Sequence, residues 1–514
     1  MKKLLFMSLL ASANLVSAET ISLPRSTPEA QGISSLAILD FLETADKNFN
    51  ADSNAVHSFM LVRHGHVVAE GWWSPYDAKT RHKMFSLSKS FTSTAVGLAI
   101  ADGKLSLNDP VISFFPDDTS ENPGDNLKAM RVRDLLIMSS GQNADTIAQL
   151  GNVMGSFGHT NVSLTKAFLN APVEVKPGTL FIYNTPGTYM LSAIVQKATG
   201  EKVFDYLRPR LFKPLGIENA TWDESPQGVT LGGIGLNIRT EDIAKLGQLY
   251  LQKGNWNGKQ LIPAAWVAAA TTKQTSNGSN PASDWEQGYG YQFWRARHDI
   301  FRGDGLYGQF CIVMPEQDAV VAMTGGTRDM AGVMNLIWDK LLPAMQTNPL
   351  PANDGAYERL KAKLASLTLL QPKGSATSEM AGQVSGKIYS FPPNIFNIDS
   401  VKFDFNGENT TLMVRSRGKE HKISIGNQHW EKGERTDFVA GADWRVADAV
   451  EQSVAASGAW TADDTYTAKF AYCETPLAVR FTFRFAGEKV LLLNVDYSVT
   501  LGDMKSGMIV GETR

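Results

Sequence analysis

Cysteine is nearly absent: Cys311 and Cys473 are the only two in 514 residues. No multi-bridge framework can therefore hold the fold. A single bridge is chemically allowed after export, but each thiol falls in a strand-like stretch of a different domain, so two isolated, buried cysteines are expected. An excess of charge of one sign is also missing. Lys and Arg total 49 against 52 Asp and Glu, a formal net charge of −3. No basic surface for nucleic acid or anionic lipid follows from that balance. Histidines number eight, and no His/Cys/Asp/Glu cluster has metal-ligand spacing, so no metal and no cofactor is expected. The chain after the N-terminus lacks any run of about 18 uninterrupted apolar residues, the length a membrane-spanning helix needs. Internal repeats are absent, as is any compositional sign of disorder.

The rest is ordinary for a soluble protein, with 43% hydrophobic and 20% charged residues, and the length is ample for two domains. At the start, Lys2-Lys3, the short apolar stretch Leu4 to Val16 and the small residues Val16-Ser17-Ala18 read as a secretory signal peptide cleaved after Ala18. That reading places the mature protein in the periplasm or outside the cell. Residues 55–73 suggest a hairpin, with its turn at Arg63-His64-Gly65-His66. Leu105 to Val111 opens a mainly helical region, and Thr188 to Thr199 reads as a further helix stopped by Gly200. Strand patterns return at Gly308–Met314 and Ala319–Thr324. After Leu341 the character changes. A Pro-rich connector at 348–355, a helix near Ala356–Leu367 and a linker at Pro372–Ser378 precede clear period-2 alternation, as in Val401/Phe403/Phe405 and Val479/Phe481/Phe483/Phe485. The expected layout is a signal peptide at 1–18, a first domain at 19–350, a helix and linker at 351–378, and an antiparallel β domain at 379–514.

One tetrapeptide carries chemical interest. Ser86-Leu87-Ser88-Lys89 opens the small-residue run Ser90 to Ala101, which ends at Asp102-Gly103. On a helix, residues three apart share a face, so Lys89 would stand beside the Ser86 hydroxyl. Ser86 would sit at the helix N-terminus, where free N–H groups favour a developing anion. A serine hydroxyl needs a base, and a lysine in a dry site can shed its charge and serve as one. The same spacing recurs at Ser163–Lys166 and Ser416–Lys419. Only Ser86 follows an apolar pair and precedes a long helix.

Five ordered segments give this motif its context: Met84-Phe85-Ser86-Leu87-Ser88-Lys89-Ser90-Phe91-Thr92, Val132-Arg133-Asp134-Leu135-Leu136-Ile137-Met138-Ser139-Ser140-Gly141, Tyr183-Asn184-Thr185-Pro186-Gly187, Gly288-Tyr289-Gly290-Tyr291 and Gly305-Leu306-Tyr307-Gly308-Gln309. Over roughly residues 22–345 the chain resembles the serine β-lactamase-related family, which holds class C β-lactamases, DD-peptidases, family VIII esterases and 6-aminohexanoate-dimer hydrolases. The resemblance implies an α+β fold, an antiparallel sheet flanked by helices with an all-helical insert. It also implies that Tyr183 joins Ser86 and Lys89 in the catalytic group, and that the N–H groups of Ser86 and Leu306 form the oxyanion hole. Beside Lys⁺ the phenol is expected to have a lowered pKa and to relay protons.

Two positions depart from the family pattern. Gly303-Asp304-Gly305 stands where lactamases and DD-peptidases carry Lys-Thr-Gly or His-Thr-Gly, so the cation that holds a substrate carboxylate is missing. Thr185 stands where lactamases usually have Asn. Thr185, Asp304 and Gly305 are the candidate substrate-binding positions, and the pattern is closest to the 6-aminohexanoate-dimer hydrolase and esterase branch. Arg302 and Asp304 read by default as solvated loop charges flanking the oxyanion strand. His82 is a candidate for the site entrance, His64 and His66 for exposed turn residues, Trp72-Trp73 and Tyr289/Tyr291 for core aromatics, and Gly232-Gly233-Ile234-Gly235 for a loop near the pocket. The expected function is an exported serine hydrolase that cleaves a small-molecule ester or amide. The rivals are a cell-wall DD-peptidase or β-lactamase with the same nucleophile, and a non-catalytic binding protein on this scaffold. Oligomeric state is left open.

Overall fold

The computed structural model describes residues 22–155, 162–406, 409–439, 451–500 and 506–513. The expected signal peptide at 1–18 lies outside them. Among the described residues no helix is long and apolar enough to cross a membrane.

The first domain is built on a seven-stranded antiparallel sheet. Its main strands are β1 (Asn54–Arg63), β2 (His66–Trp72), β3 (Phe301–Gly305), β4 (Gln309–Met314) and β5 (Ala319–Thr327). β1 pairs with β2 on one side and β5 on the other, and the order continues through β4 to β3. Strands from the two ends of this domain therefore meet at its centre. β1, β4 and β5 are buried at nearly every position because helices cover both faces. Met60, Val62, Cys311, Val313, Val320 and Ala322 point to one core. Their chain neighbours Phe59, Leu61, Phe310, Ile312, Val321 and Met323 point to the other. That division is the two-residue alternation of a pleated strand. The first core receives α2 (Ser88–Ala101), α3 (Thr185–Thr199) and α4 (Thr240–Leu251), the second α1 (Ser35–Asn48) and α5 (Asp354–Ala365).

α2 is the central helix, buried on every side from Ser88 to Ala99. Its many hydroxyls are tolerated there because each has a partner. Ser90 donates to the Gln292 carbonyl at 3.0 Å, Thr92 to Gly232 at 2.8 Å and Ser93 to Tyr291 at 2.7 Å. The Ser/Thr run thus stitches the helix to two loops that border the site. α3 begins at Thr185, three residues before the sequence suggested. Asn184 caps it by accepting from the Gly187 N–H, and Pro186 suits its first turn.

Beyond residue 379 the expected strands form a ten-stranded sheet. They are β6 (Ile388–Ser390), β7 (Ile398–Asn406), β8 (Asn409–Ser416), β9 (Lys419–Asn427), β10 (Glu431–Lys432), β11 (Val454–Ala462), β12 (Thr465–Tyr472), β13 (Ala478–Ala486), β14 (Val490–Tyr497) and β15 (Gly507–Thr513). The antiparallel pairing expected there holds for every described pair of strands but one. One short parallel contact, Gly426 with Ser457 and Asn427 with Gly458, joins β9 to β11 and turns the sheet into a barrel. The contact covers the end of the β9 edge, which an open sheet would leave unpaired. Cys311 and Cys473 are free and buried, as expected.

The barrel packs against the first domain. Tyr76 Oη donates to the Thr475 carbonyl at 3.1 Å, and the Lys83 N–H donates to the Glu474 carbonyl at 2.9 Å. At this seam His82 is buried, its Nε2 3.2 Å from His57 Nδ1. It therefore does not line an open entrance. Burial holds both imidazoles below their ordinary pKa, His82 at about 4.

Candidate active site

Ser86 lies in a single 3₁₀ turn, Phe85–Leu87, that runs directly into α2. Lys89 is in the first turn of α2, and its Nζ stands 2.9 Å from Ser86 Oγ. A second bond, from Lys89 Nζ to the Gly233 carbonyl at 2.8 Å, fixes the amine. The Gly232–Gly235 loop therefore borders the site, as its sequence suggested. Lys89 is 1% exposed. Burial brings its pKa from 10.5 down to about 7, against an opposing pull from Asp304.

Tyr183 precedes the α3 cap, and its hydroxyl is hydrogen-bonded to Ser86. Lys89 Nζ lies 4.9 Å from its ring centre. The segment holding it is tied to the Ser139–Gln142 turn. The Ile182 N–H donates to the Met138 carbonyl at 2.9 Å, and Asn184 Nδ2 donates to Ser140 Oγ at 3.0 Å and to Gln142 Oε1 at 2.9 Å. The lowered phenol pKa expected beside Lys⁺ is not found. Desolvation of the hydroxyl and the nearby Asp304 push Tyr183 well above its ordinary 10, outweighing the bond to Ser86. Of the two possible bases, only Lys89 has its deprotonated form accessible near neutral pH.

β3 runs beside the nucleophile turn, and its glycines are a consequence of that approach. A Cβ on Gly305 would lie 2.0 Å from the Met84 carbonyl oxygen, and one on Gly303 2.5 Å from Leu87. No side chain fits at either position. Leu306 follows at the strand end, 39% exposed. Thr185 is partly exposed at the start of α3, its methyl carbon facing the Gly233 loop.

Arg302 and Asp304 are not solvated loop charges. They share one face of β3, where Arg302 Nε donates to Asp304 Oδ2 at 3.0 Å with side chains 0% and 6% exposed. Arg302 also donates to the Asp284 carbonyl at 2.9 Å. Burial raises the Asp304 pKa, while Arg302 and Lys89 oppose the rise. The strand alternation carried a signal for this pair: opposite charges at positions two apart share a face.

Trp294 escaped the sequence reading. It stacks on Tyr183 with ring centres 5.4 Å apart and planes 21° from parallel, and it hydrogen-bonds Asp304. Tyr289 meets Tyr183 edge-on at 6.5 Å and 89°. Tyr289 and Tyr291 are buried, as expected for core aromatics, yet Tyr289 also forms part of the wall behind Tyr183. The other two Ser-x-x-Lys matches serve structure. Ser163 caps a helix by accepting from the Lys166 N–H at 3.3 Å, and Ser416 donates to the Asn397 carbonyl at 2.7 Å. Among the described residues no His/Cys/Asp/Glu group could hold a metal ion.

A family model described as Beta-lactamase matches residues 49–333. The 6-aminohexanoate-dimer hydrolase of Paenarthrobacter ureafaciens is 25% identical over 303 residues, 55% of this chain and 76% of that protein. A Salmonella agona protein named "Putative D-alanyl-D-alanine carboxypeptidase" is 24% identical over 193 residues, 34% of this chain and 44% of that protein. This match spans less than half the length of that relative. Among solved structures, "Putative 6-aminohexanoate-dimer hydrolase from Bacillus anthracis" has a similar fold, with a TM-score of 0.52 at 19% identity over 64% of this chain and 89% of that one.

Proposed function

Because the chain belongs to the Beta-lactamase family, we propose that it is an exported serine hydrolase that opens a small ester or amide through an acyl-enzyme on Ser86. The observation that carries the reading is the buried Lys89 amine, 2.9 Å from Ser86 Oγ with a pKa of about 7. Neutral Lys89 takes the Ser86 proton as Oγ attacks the carbonyl carbon. The carbonyl oxygen becomes an oxyanion, received by the N–H groups of Ser86 and Leu306. Tyr183, protonated at working pH, donates its hydrogen to the leaving oxygen or nitrogen and recovers one from Lys89. The carbon–heteroatom bond breaks and leaves the ester on Ser86. Water then attacks that ester, giving its proton to the same pair, and the acid departs as Ser86 regains its hydrogen. No cofactor enters these steps.

Substrate choice follows from β3. Arg302 is fully buried and engaged with Asp304 and a backbone carbonyl, so it is not placed to receive a substrate carboxylate. A charged hydrogen bond of that kind contributes about 1.5–3 kcal/mol, or roughly 10- to 150-fold in binding. This disfavours β-lactams and cell-wall peptides and favours short esters and linear amides, the latter in keeping with the hydrolase relative. Thr185, Asp304 and Gly305 would border the bound acyl group. The chemistry is assigned to residues 19–350, with 351–378 as connector and 379–514 as the barrel.

The test is labelling with a fluorophosphonate, followed by peptide mass mapping and a screen of p-nitrophenyl esters, linear amides and nitrocefin. An adduct on Ser86 and faster turnover of p-nitrophenyl butyrate than of nitrocefin are expected. An adduct on Ser163 or Ser416, or no adduct, overturns the assignment. A higher kcat/KM for nitrocefin moves the protein to the lactamase branch. Export is checked by sequencing the mature N-terminus, which should begin at Glu19.

A further inference from the structure

The two backbone donors assigned to the oxyanion hole are flanked by unusual residues. Phe85, immediately before Ser86, has φ of 46°, and Tyr307, immediately after Leu306, has φ of 69°. Neither is glycine, so both corners sit in a region that L-residues avoid. Such corners persist only where surrounding contacts hold them. Here the two rings meet edge-on, with centres 5.9 Å apart and planes at 86°. A third residue completes this small apolar cluster: Val499, 0% exposed and contributed by the barrel.

The barrel side of the contact is itself anchored. Val499 follows β14, and its neighbour Ser498 exchanges hydrogen bonds with β13: the Ser498 N–H donates to the Ala478 carbonyl at 2.9 Å, and the Ala478 N–H donates to Ser498 Oγ at 2.8 Å. On the other side of Val499, the Thr500 carbonyl accepts from Tyr307 Oη at 2.5 Å. The Lys83–Glu474 backbone bond fixes the chain leading into Phe85. The Phe85 torsions orient the peptide plane that carries the Ser86 N–H. The Tyr307 corner fixes the turn in which the Gly308 N–H returns to the Gly305 carbonyl at 3.3 Å, around Leu306.

We propose that Val499 is a positioning residue, through which the C-terminal barrel holds the Ser86 and Leu306 N–H groups in register for the oxyanion. The proposal rests on the serine hydrolase reading above. It assigns the barrel a part in turnover: without the barrel, two strained corners lose the side chain that closes over them.

The test uses the full-length protein with Val499→Ala, Val499→Ile and Val499→Thr, and with Lys432→Ala as a control. Lys432 forms a separate surface ion pair with Asp77 across the same interface. Steady-state kinetics on p-nitrophenyl butyrate, affinity for a phenylboronic acid as a tetrahedral mimic, and thermal midpoints are measured on each. Displacing a donor rather than deleting it should lower kcat for Val499→Ala by roughly 10-fold, with KM within about twofold and boronate affinity falling in step. Val499→Ile should restore most of the loss, and Lys432→Ala should leave kcat and boronate affinity unchanged. Val499→Thr keeps the shape while adding a hydroxyl to the apolar cluster, and it carries the test if the alanine chain does not fold. Unchanged kcat and boronate affinity in a Val499 variant with a lowered thermal midpoint would show plain packing and overturn the proposal. If the unaltered protein neither binds boronate nor labels at Ser86, the hydrolase reading fails and the proposal falls with it.

Discussion

Protonating Lys89 should switch the enzyme off within a narrow pH range. With a pKa of about 7 against an ordinary 10.5, the charged form of Lys89 is disfavoured in the folded site by about 5 kcal/mol, at ~1.36 kcal/mol per pH unit. The amine is then roughly nine-tenths neutral at pH 8 and roughly one-hundredth neutral at pH 5. If neutral Lys89 is the base, kcat/KM should fall about 90-fold over that interval and approach a slope of one log unit per pH unit. A lysine at its ordinary value would give a rate still climbing tenfold per pH unit beyond pH 9. Tyr183 is pushed well above 10, so no alkaline limb should appear below that pH. The assay is kcat/KM for p-nitrophenyl butyrate from pH 5 to 9.5, read at the isosbestic wavelength of the nitrophenol. The rate of fluorophosphonate labelling across the same range separates acylation from deacylation. A labelling rate that is flat from pH 5 to 8, or that keeps rising tenfold per unit through pH 9, would refute Lys89 as the base.

Lys89→Met should be inactive yet more stable than the wild type. The unfolded chain binds more protons at Lys89 between about pH 7 and 10.5, so wild-type stability rises with pH there, and the advantage of methionine should shrink by ~3–5 kcal/mol from pH 6 to pH 10 in urea melts. Tyr183→Phe should lower kcat by roughly 10²–10⁴. Combined with Lys89→Ala it should lose far less than the product of the two effects, because groups acting as a unit are not additive; multiplicative losses would count against a shared proton path. Gly305→Ala would place a methyl group 2.0 Å from the Met84 carbonyl oxygen; phosphonate labelling should slow by roughly 10²-fold, and an unchanged rate would show that β3 need not lie so close to the nucleophile turn.

Much of this arrangement is legible in the sequence, because its parts lie in ordered local segments. Ser86 and Lys89 are one helical turn apart, and the hairpins at 54–72 and 309–327 announce themselves by turn residues and apolar strands. What escaped depended on distance in the chain. Adjacency to a lysine suggested a lowered Tyr183 pKa, but burial and Asp304, 121 positions away by number (304 − 183), push it up. Trp294 carries no local mark of stacking on Tyr183. The Arg302–Asp304 pair is visible as alternation but reads as loop, since two glycines and two charges in five residues are unusual for a buried strand. The parallel β9–β11 contact spans two residues on each strand, too few for any periodic pattern. The Val499 contact joins residues more than 400 positions from Phe85, where composition is silent.

The order of strands in the barrel bears on how the protein is made. β6, the first barrel strand along the chain, pairs with β15, the last. That seam joins two ribbons, each an antiparallel meander of successive neighbours. While the ribosome is still adding β15, β6 and β14 each present a row of unpaired amides and carbonyls, surfaces that invite pairing with another chain. The strands of the first domain's sheet, by contrast, are complete once Thr327 has emerged. A nascent chain would thus hold a finished first-domain sheet beside an open, adhesive ribbon until the seven-residue β15 arrives. Removing those residues by proteolysis would return a mature molecule to that sticky state.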